Sequence, residues 1–278
     1  MILNNFIVEN HIKKALEEDI GFSDITTDAV ADEKDTMKVK LVSREEGILC
    51  GVDVFALVFK VLDPSVKVEI LIKDGEKLKK GDIIAKVEGS ARAVLTGERT
   101  ALNYVQRMSG IASETRKYQD KLSGTKAQIT DTRKTTPCFR LFEKYAVGTG
   151  GARLHRFNLS DCVMLKDNHI ALMGSITKAV EKVREKLSHT HKIEVECDTL
   201  EQVKEAVNTG VEIIMLDNMT IDEIKEGVKI IDGRATVEVS GNVSLSTVEE
   251  IGRCGVDVIS SSAIVAKAKP LDLGLDAI

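Results

Sequence analysis

The stretch from Ile193 to Ser240, IEVECDTLEQVKEAVNTGVEIIMLDNMTIDEIKEGVKIIDGRATVEVS, contains the pattern that decides the fold. Short apolar runs begin at Ile193, Ile213 and Thr236, and the segments between them have apolar residues at helical spacing. A threonine precedes each helical segment, where its hydroxyl can accept from a free amide of the first turn. The stretch therefore predicts a repeat of strand, capped helix and strand, which is typical of parallel β/α folds.

The same repeat extends in both directions along the chain. Predicted N-caps are Ser175, Thr199, Thr220 and Ser246, and predicted helix-ending glycines are Gly210, Gly233 and Gly255. No GxGxxG follows a first strand, which argues against a dinucleotide fold. Six runs are fewer than the eight of a closed barrel, so we expect an open, incomplete β/α TIM-like barrel. The runs are Ala127–Ile129, Cys162–Leu165, Ile193–Val195, Ile213–Leu216, Thr236–Val239 and Val256–Ile259.

The first half of the chain has a different pattern. A short amphipathic helix over 10–18 is followed by strand-like residues with glycine turns between Lys38 and Val87, around a helix near Asp53–Val61. A long helix is predicted from Leu95 to about Leu122. We predict an N-terminal α/β domain over 1–108, a barrel domain over 109–265, and a tail, 266–278, that packs back on the first domain.

Composition and charge exclude several classes of protein. The chain has 278 residues, 43% hydrophobic and 30% charged, which is typical of a globular protein. A net charge of −5 argues against a nucleic-acid binder, and no apolar run is long enough to span a bilayer. The five cysteines are scattered and form no CxxC pair, so with no signal peptide evident we expect reduced thiols and a cytoplasmic protein.

A cationic segment is set into this acidic chain. Residues 131–169 carry a net charge of +3 although the whole chain carries −5. Arg133, Lys134 and Lys166 fall at or just after predicted strand ends, which meet on the active face of a β/α barrel. Arginine and lysine in such a place favour a small anionic substrate over a polyanion.

Carboxylates end two other runs. Glu196 and Asp217 close IEVE and IIMLD, where they could hold Mg²⁺, accept from sugar hydroxyls, or pair with the cationic residues. We expect Glu194 to face away from this group. Small residues after the last two runs, Ser240–Asn242 and Ser260–Ala263, would let backbone amides approach a phosphate, although such residues are also common in ordinary loops.

These motifs together resemble the quinolinate phosphoribosyltransferase family. The matching stretches lie in family order and cover nearly the whole chain. One departure is Cys138, where the family has a glycine after the proline. The stretches are EDIGFSDITT at 18–27, LTGERTALNYVQRMSGIAS at 95–113, DTRKTTP at 131–137, KYAVGTGGARLHRFNLSDCVMLKDNH at 144–169, EVE at 194–196, LDN at 216–218 and SGN at 240–242.

The resemblance implies a reaction in NAD biosynthesis. Quinolinate and phosphoribosyl pyrophosphate (PRPP) would give nicotinate mononucleotide, pyrophosphate and CO₂, with Mg²⁺ and no redox cofactor. It also implies an α/β sandwich joined to an incomplete barrel, and a homodimer with active sites between its subunits. Hexamers also occur in the family.

The resemblance further assigns roles to individual positions. The catalytic residues would be Lys134, Lys166, Glu196 and Asp217, and the two carboxylates would also bind the metal and the ribose. The substrate-binding set comprises Arg99, Thr132, Arg133, His155, Arg156 and Lys166 around quinolinate, Lys134 toward PRPP, and a 5′-phosphate cradle of Ser240, Gly241, Asn242, Ser261, Ser262 and Ala263.

Three alternatives remain open from the sequence. One is a related phosphoribosyltransferase-like protein linked to molybdate transport, and another is a non-catalytic anion-binding homologue. The third is a Schiff-base aldolase that uses Lys166 at a strand end.

Overall fold

The computed structural model describes residues 2–278, which divide into two compact units. The first unit takes in the chain up to Arg116 together with Thr136–Gly151 and Ala268–Ile278, and the second takes in Lys117–Thr135 and Ala152–Lys267. The sequence instead predicts boundaries at 108/109 and 265/266, and it does not predict that Thr136–Gly151 belongs to the first unit. No helix within residues 2–278 combines the length and the apolar character needed to cross a bilayer.

The helices and strands alternate along most of the chain. In chain order the helices are α1 (Asn5–Ile20), α2 (Ile25–Val30), α3 (Val52–Leu62), α4 (Ala91–Lys121), α5 (Arg140–Thr149), α6 (Asp167–Met173), α7 (Ile176–Arg184), α8 (Leu200–Thr209), α9 (Ile221–Ile231), α10 (Val248–Arg253) and α11 (Ala263–Ala266). The strands are β1 (Thr36–Ser43), β2 (Gly47–Ile48), β3 (Lys67–Ile70), β4 (Lys77–Leu78), β5 (Ile83–Ser90), β6 (Gln128–Thr130), β7 (Val163–Leu165), β8 (Ile193–Cys197), β9 (Ile213–Asp217), β10 (Thr236–Ser240), β11 (Val258–Ser260) and β12 (Leu273–Ala277).

An antiparallel sheet with the order β12-β1-β5-β3 organises the first unit. The C-terminal strand β12 pairs along β1, from Val39 with Ala277 to Ser43 with Leu273. Helix α3 is apolar and carries the fully buried Phe55 and Phe59, whose rings meet edge to face at 5.1 Å. Helices on a sheet give this unit the mixed α/β composition that the sequence predicts.

Close packing around α4 depends on a glycine. Gly110 lies against the carbonyl oxygen of Lys269, and a Cβ built at this position would come within 2.0 Å of that oxygen. Met108, two residues earlier, is fully buried and lies against Gly51. The helix therefore approaches the chain before β12 more closely than any residue with a side chain permits.

The second unit is built on a parallel sheet with the order β6-β11-β10-β9-β8-β7. Each of the later strands lies beside its predecessor, and the last, β11, pairs with the first, β6. Within residues 2–278 the edge strands β6 and β7 do not pair with each other. The six-stranded open barrel expected from the sequence is therefore confirmed, and its opening lies between its first and second strands.

Three of the four predicted N-caps are confirmed, because Ser175, Thr199 and Thr220 accept from the backbone amides of Lys178, Gln202 and Glu223. The fourth prediction, Ser246, is wrong. Helix α10 begins after Thr247, which makes no side-chain cap. The hydroxyl of Ser246 instead lies 2.8 Å from that of Ser244.

We predict that Gly110→Ala lowers the free energy of unfolding by about 2 kcal/mol or more, because overpacking against a rigid backbone carbonyl forces the chain to move. Urea unfolding followed by circular dichroism measures the change. Asn103→Ala, at an exposed position of the same helix, is the control and should change stability by less than about 0.5 kcal/mol. Equal stability of the Gly110→Ala variant and the wild type would contradict the packing.

Candidate active site

The carboxyl ends of the parallel strands surround a cavity of about 270 Å³, here called the front cavity. Parallel strands end on the same side, so residues that follow different strands meet there. Residues that lie on or shortly after each strand of the second unit line it together with His155 and Arg156: Thr132, Arg133, Lys134, Met164, Lys166, Glu196, Met215, Ser240 and Ser260. The predicted quinolinate residues are thus brought together, with the exception of Arg99.

Cations dominate the front cavity. Arg133, Lys134, Arg156 and Lys166 line it, and Glu196 is its only carboxylate among the described residues. The ammonium group of Lys166 forms a close ion pair with the Glu196 carboxylate. Glu196 is largely buried whereas Lys166 is partly exposed, so the pair places a positive charge toward the opening. The remaining cations make this cavity a receptor for a small anion.

A second cavity of about 370 Å³, here called the side cavity, adjoins the front cavity. Four residues line both: Thr132, Lys134, Ser240 and Ser260. The side cavity also contains Asp217 and the predicted phosphate residues Gly241, Asn242, Ser261, Ser262 and Ala263, together with Asn218, Val243, Ala266 and Lys267. An extended ligand with two ends could therefore occupy both cavities.

Left-handed backbone shapes the loop of the side cavity. Gly241 has a φ of 88°, and a Cβ at this position would lie 2.2 Å from the side-chain oxygen of Asn218. Asn218 in turn donates to the Asp217 carboxylate at 2.6 Å and accepts from the Asn242 amide at 3.3 Å. Glycine is therefore required at 241, and Asn218 connects the predicted metal-binding carboxylate to the predicted phosphate loop.

His155 lies near the edge of β6 that has no hydrogen-bonded partner strand, because β6 and β7 do not pair. Beside β6, the Arg153 amide donates to the Ile129 carbonyl at 3.0 Å, and Thr130 forms an isolated parallel bridge with Arg153. The backbone amide of His155 donates to the fully buried Asp131 carboxylate at 2.8 Å. These contacts fix the segment that carries His155 and Arg156 along the open edge.

Two buried glutamates face the His155 ring. Its Nε2 atom lies 3.4 Å from carboxylate oxygens of both Glu194 and Glu238. Burial opposes a charge on the ring, but the carboxylates outweigh burial and raise the pKa of His155 to about 10. The Arg156 amide approaches Nδ1 at 2.7 Å, and only the neutral ring with its proton on Nε2 can accept from it, so this contact opposes the charge that the carboxylates favour. In either protonation state at neutral pH, Nε2 carries a proton.

The expectation that Glu194 faces away from Glu196 is wrong. Side chains two residues apart on a strand share a face, so Glu194 and Glu196 both point inward at different depths. Glu194 lines a third cavity, of about 500 Å³, here called the rear cavity. Its lining residues Ile213, Thr236 and Val258 begin β9, β10 and β11, so it lies at the opposite end of the strands.

The two-residue alternation of side chains along a strand also identifies site residues that were not predicted. Met164 lies two residues before Lys166, and Met215 lies two before Asp217, so each methionine shares a face with a predicted site residue. Both methionines line the front cavity. Asn218 and Lys267, in the side cavity, gave no periodic signal because they lie beyond strand and helix ends.

Arg99 is not in either cavity. It is exposed on α4 in the first unit. Its predicted contribution from a neighbouring subunit stays a prediction.

Cys138, which departs from the family pattern, has a left-handed backbone. Its φ is 62° and its side chain is exposed. Glycine adopts such a conformation without steric cost, whereas other L-residues pay for the crowding of Cβ. The glycine that the resemblance leads us to expect at this position would therefore fit the backbone without strain.

Comparisons with known proteins agree with this architecture. Two family models match the chain: "Quinolinate phosphoribosyl transferase, N-terminal domain" over residues 24–109 and "Quinolinate phosphoribosyl transferase, C-terminal domain" over residues 111–276. A "Probable nicotinate-nucleotide pyrophosphorylase [carboxylating]" of Synechocystis is 42% identical over 97% of this chain and 92% of its own length.

Relatives extend to plants and to solved structures. The chloroplastic "Nicotinate-nucleotide pyrophosphorylase [carboxylating]" of Arabidopsis thaliana is 42% identical over 95% of this chain and 81% of its own. The crystal structure of NadC from Streptococcus pyogenes superposes with a TM-score of 0.96 at 42% identity, covering 100% of this chain and 99% of its own.

We predict that Cys138→Gly raises the free energy of unfolding by about 0.5 kcal/mol, because relief of left-handed strain exceeds the entropy that glycine adds to the unfolded chain. Cys138→Ser keeps the size and the backbone constraint, so it is the matched control and should leave stability unchanged. Urea unfolding of the three proteins measures the difference. A serine variant as stable as the glycine variant would contradict the explanation.

Proposed function

Because the chain belongs to the quinolinate phosphoribosyl transferase family, we propose that it transfers the phosphoribosyl group of PRPP to quinolinate. The products are nicotinate mononucleotide, pyrophosphate and CO₂, a step of NAD biosynthesis. The observation that carries this proposal is the front cavity, where four cations surround a space of about 270 Å³ that continues into the side cavity. Family membership gives the molybdate-linked, non-catalytic and aldolase alternatives no support.

Quinolinate fits the front cavity by charge and by shape. It is a flat ring with two adjacent carboxylates, which arginine can bind through paired N–H donors. Arg133 and Arg156 supply such donors, and Lys166 supplies a point charge. Met164 and Met215 offer thioether surface to the pyridine ring. The Thr132 hydroxyl and His155 complete the lining.

PRPP fits the side cavity and the region shared by the two cavities. Ser240, Gly241 and Asn242 with Ser261, Ser262 and Ala263 form the proposed 5′-phosphate cradle, in which serine hydroxyls and backbone amides can donate to phosphate oxygens. Asp217 is placed to accept from the ribose hydroxyls. Lys134 lines both cavities and so lies where the anomeric carbon and pyrophosphate would meet quinolinate.

Glu196 and Asp217 are the residues proposed to hold Mg²⁺. Their strands β8 and β9 are neighbours in the sheet, and both end at the same side. Magnesium is commonly bound by one or two carboxylates together with substrate phosphates and water, and the donor set here fits that pattern. When bound, the ion would neutralise charge on the departing pyrophosphate.

In this reaction the side chains position the two substrates and stabilise the charges that develop. The quinolinate nitrogen attacks the anomeric carbon as the bond to pyrophosphate breaks, and the sugar gains positive character. Lys134 would stabilise the negative charge of the departing pyrophosphate, and the carboxylate of Asp217 would stabilise the positive charge that develops on the sugar. The C–C bond between ring carbon 2 and its carboxylate then breaks and CO₂ leaves. The electron pair of that bond stays on ring carbon 2, beside the positively charged nitrogen, and this carbon takes up a proton from solvent.

We also propose an oligomeric state and a cellular location for the enzyme. A homodimer with shared sites would bring Arg99 of one subunit to the front cavity of the other, and three such dimers could associate into a hexamer. We place the enzyme in the cytoplasm with reduced cysteines. No redox cofactor takes part, because the alkylated ring nitrogen is itself the electron sink.

Acceptor specificity tests the proposed function. Purified protein with PRPP and Mg²⁺ should release pyrophosphate with quinolinate, and not with nicotinate or without an acceptor. Matching formation of nicotinate mononucleotide should accompany the release. A folded protein that releases no pyrophosphate with quinolinate would overturn the proposal.

We predict that Arg133→Ala weakens quinolinate binding by roughly a hundredfold or more, as expected when a charge-assisted, bidentate contact is lost. Isothermal titration calorimetry measures the affinity. Arg153→Ala is the matched control, because Arg153 belongs to the same cationic segment but lines only the rear cavity. Unchanged affinity of the Arg133→Ala variant would remove Arg133 from the binding site.

We predict that Asp217→Asn lowers kcat by at least about a hundredfold and leaves the melting temperature nearly unchanged, because a carboxylate facing a developing positive charge is replaced by a neutral amide. Asp222→Asn, at a fully exposed aspartate on α9, is the control and should keep wild-type turnover. A fully active Asp217→Asn variant, or one that fails to fold, would count against the assignment.

We predict that inactive Arg99→Ala and Lys166→Ala variants complement each other when mixed. Random exchange of subunits in a shared-site dimer restores one native site in each mixed dimer, which gives about a quarter of wild-type activity. Steady-state turnover after subunit exchange measures the recovery. Subunit exchange without any recovery would show that Arg99 does not act across a dimer interface.

A further inference from the structure

Three buried ionisable groups lie behind the front cavity, inside the second unit. Glu194 on β8 and Glu238 on β10 are 1% and 4% exposed, and both face His155. His155 and Arg156 line both the front and the rear cavity, so they form the partition between the two. The two glutamates line only the rear cavity.

Hydrogen bonds connect this cluster to Arg156. The imidazole Nε2 faces the glutamates, while Nδ1 accepts from the Arg156 backbone amide at 2.7 Å. The Arg156 guanidinium donates to the Cys162 carbonyl at 2.9 Å. The orientation of the His155 ring therefore affects the position of the Arg156 backbone.

The cluster has the composition of a metal site, but its hydrogen bonds disfavour one. A metal ion on Nε2 requires the proton to sit on Nδ1, and the Arg156 amide already donates to that nitrogen. Three cations, Arg153, Arg156 and Lys192, also line the rear cavity. In this cluster each glutamate instead has a carboxylate oxygen 3.4 Å from Nε2 of His155.

Three oxygens of residues that line the rear cavity lack hydrogen-bond partners. One carboxylate oxygen each of Glu194 and Glu238, and the hydroxyl of Thr130, are buried without a hydrogen-bond partner. The rear cavity, at about 500 Å³, has ample room for waters that would satisfy them. The other Glu194 oxygen faces Nε2 of His155, whereas the unpartnered Glu238 oxygen is the same atom that lies 3.4 Å from Nε2, a charge contact without a hydrogen bond.

We propose that Glu194 and Glu238 are positioning residues for the anion pocket, and that they act by orienting the His155 ring and, through it, the Arg156 segment. Neither glutamate touches the front cavity. This inference rests on the proposed function, since it takes quinolinate as the anion that the front cavity binds. It predicts that their charge affects the affinity for quinolinate and not the affinity for PRPP, whose phosphate end lies in the side cavity.

Glu194→Gln and Glu238→Gln are the informative variants, because they keep the shape of the side chain and remove its charge. Each should raise KM for quinolinate about tenfold and change KM for PRPP less than twofold. Thr130→Val is the matched control: it removes an unpartnered oxygen from the same rear cavity without altering a contact to the His155 ring, and should leave both KM values unchanged. Equal increases in both KM values, or no increase in either, would overturn the proposal.

A second measurement does not depend on turnover. In protein labelled with ¹⁵N-histidine, the His155 Nε2 proton should give a slowly exchanging NMR signal that exchanges faster in both glutamine variants, where the carboxylate charge is lost, and at the wild-type rate in Thr130→Val. Absence of that signal in the wild type would overturn the positioning role. A protein that shows the signal and does not turn over quinolinate would retain the His155 contact and lose the proposed function.

Discussion

The missing hydrogen-bond ladder between β6 and β7 is the constraint on which the second unit depends. A closed barrel would pair these strands and fill its interior with apolar layers. Here the edge of β6 instead bonds to Arg153, and the chain that follows brings His155 against Glu194 and Glu238 inside the barrel. The opening thus admits polar side chains to an interior that a complete ladder would close.

Three cavities follow from that arrangement. Cations at several strand ends line the front cavity, and small residues after β10 and β11 line the side cavity. Buried acids near the strand beginnings line the rear cavity. The front cavity therefore has an excess of cations over its one carboxylate, whereas in the rear cavity Arg153, Arg156 and Lys192 accompany the buried acids. An anion entering the front cavity meets Arg133 and Arg156 while the buried acids lie beyond the His155 ring.

Most of the architecture is readable from the sequence, since the parallel repeat follows from short apolar runs and hydroxyl caps. The sequence could not give the position of the opening, because strand pairing depends on contacts between residues distant in the chain. The two-residue period of a strand places Glu194 on the same face as Glu196, so the inward direction of Glu194 is also readable from the sequence. Asn218 was not predicted because loop residues have no period, and the predicted cap at Ser246 is wrong because helix α10 begins one residue later, after Thr247.

The central claim is that one site both transfers the phosphoribosyl group and expels the carboxylate next to the ring nitrogen. Quinolinate labelled with ¹³C in its 2-carboxylate tests it most directly, by counting labelled CO₂ against pyrophosphate over a single turnover. The account predicts one labelled CO₂ for each pyrophosphate and an unlabelled nucleotide. Pyrophosphate release with the label retained in the nucleotide would contradict it.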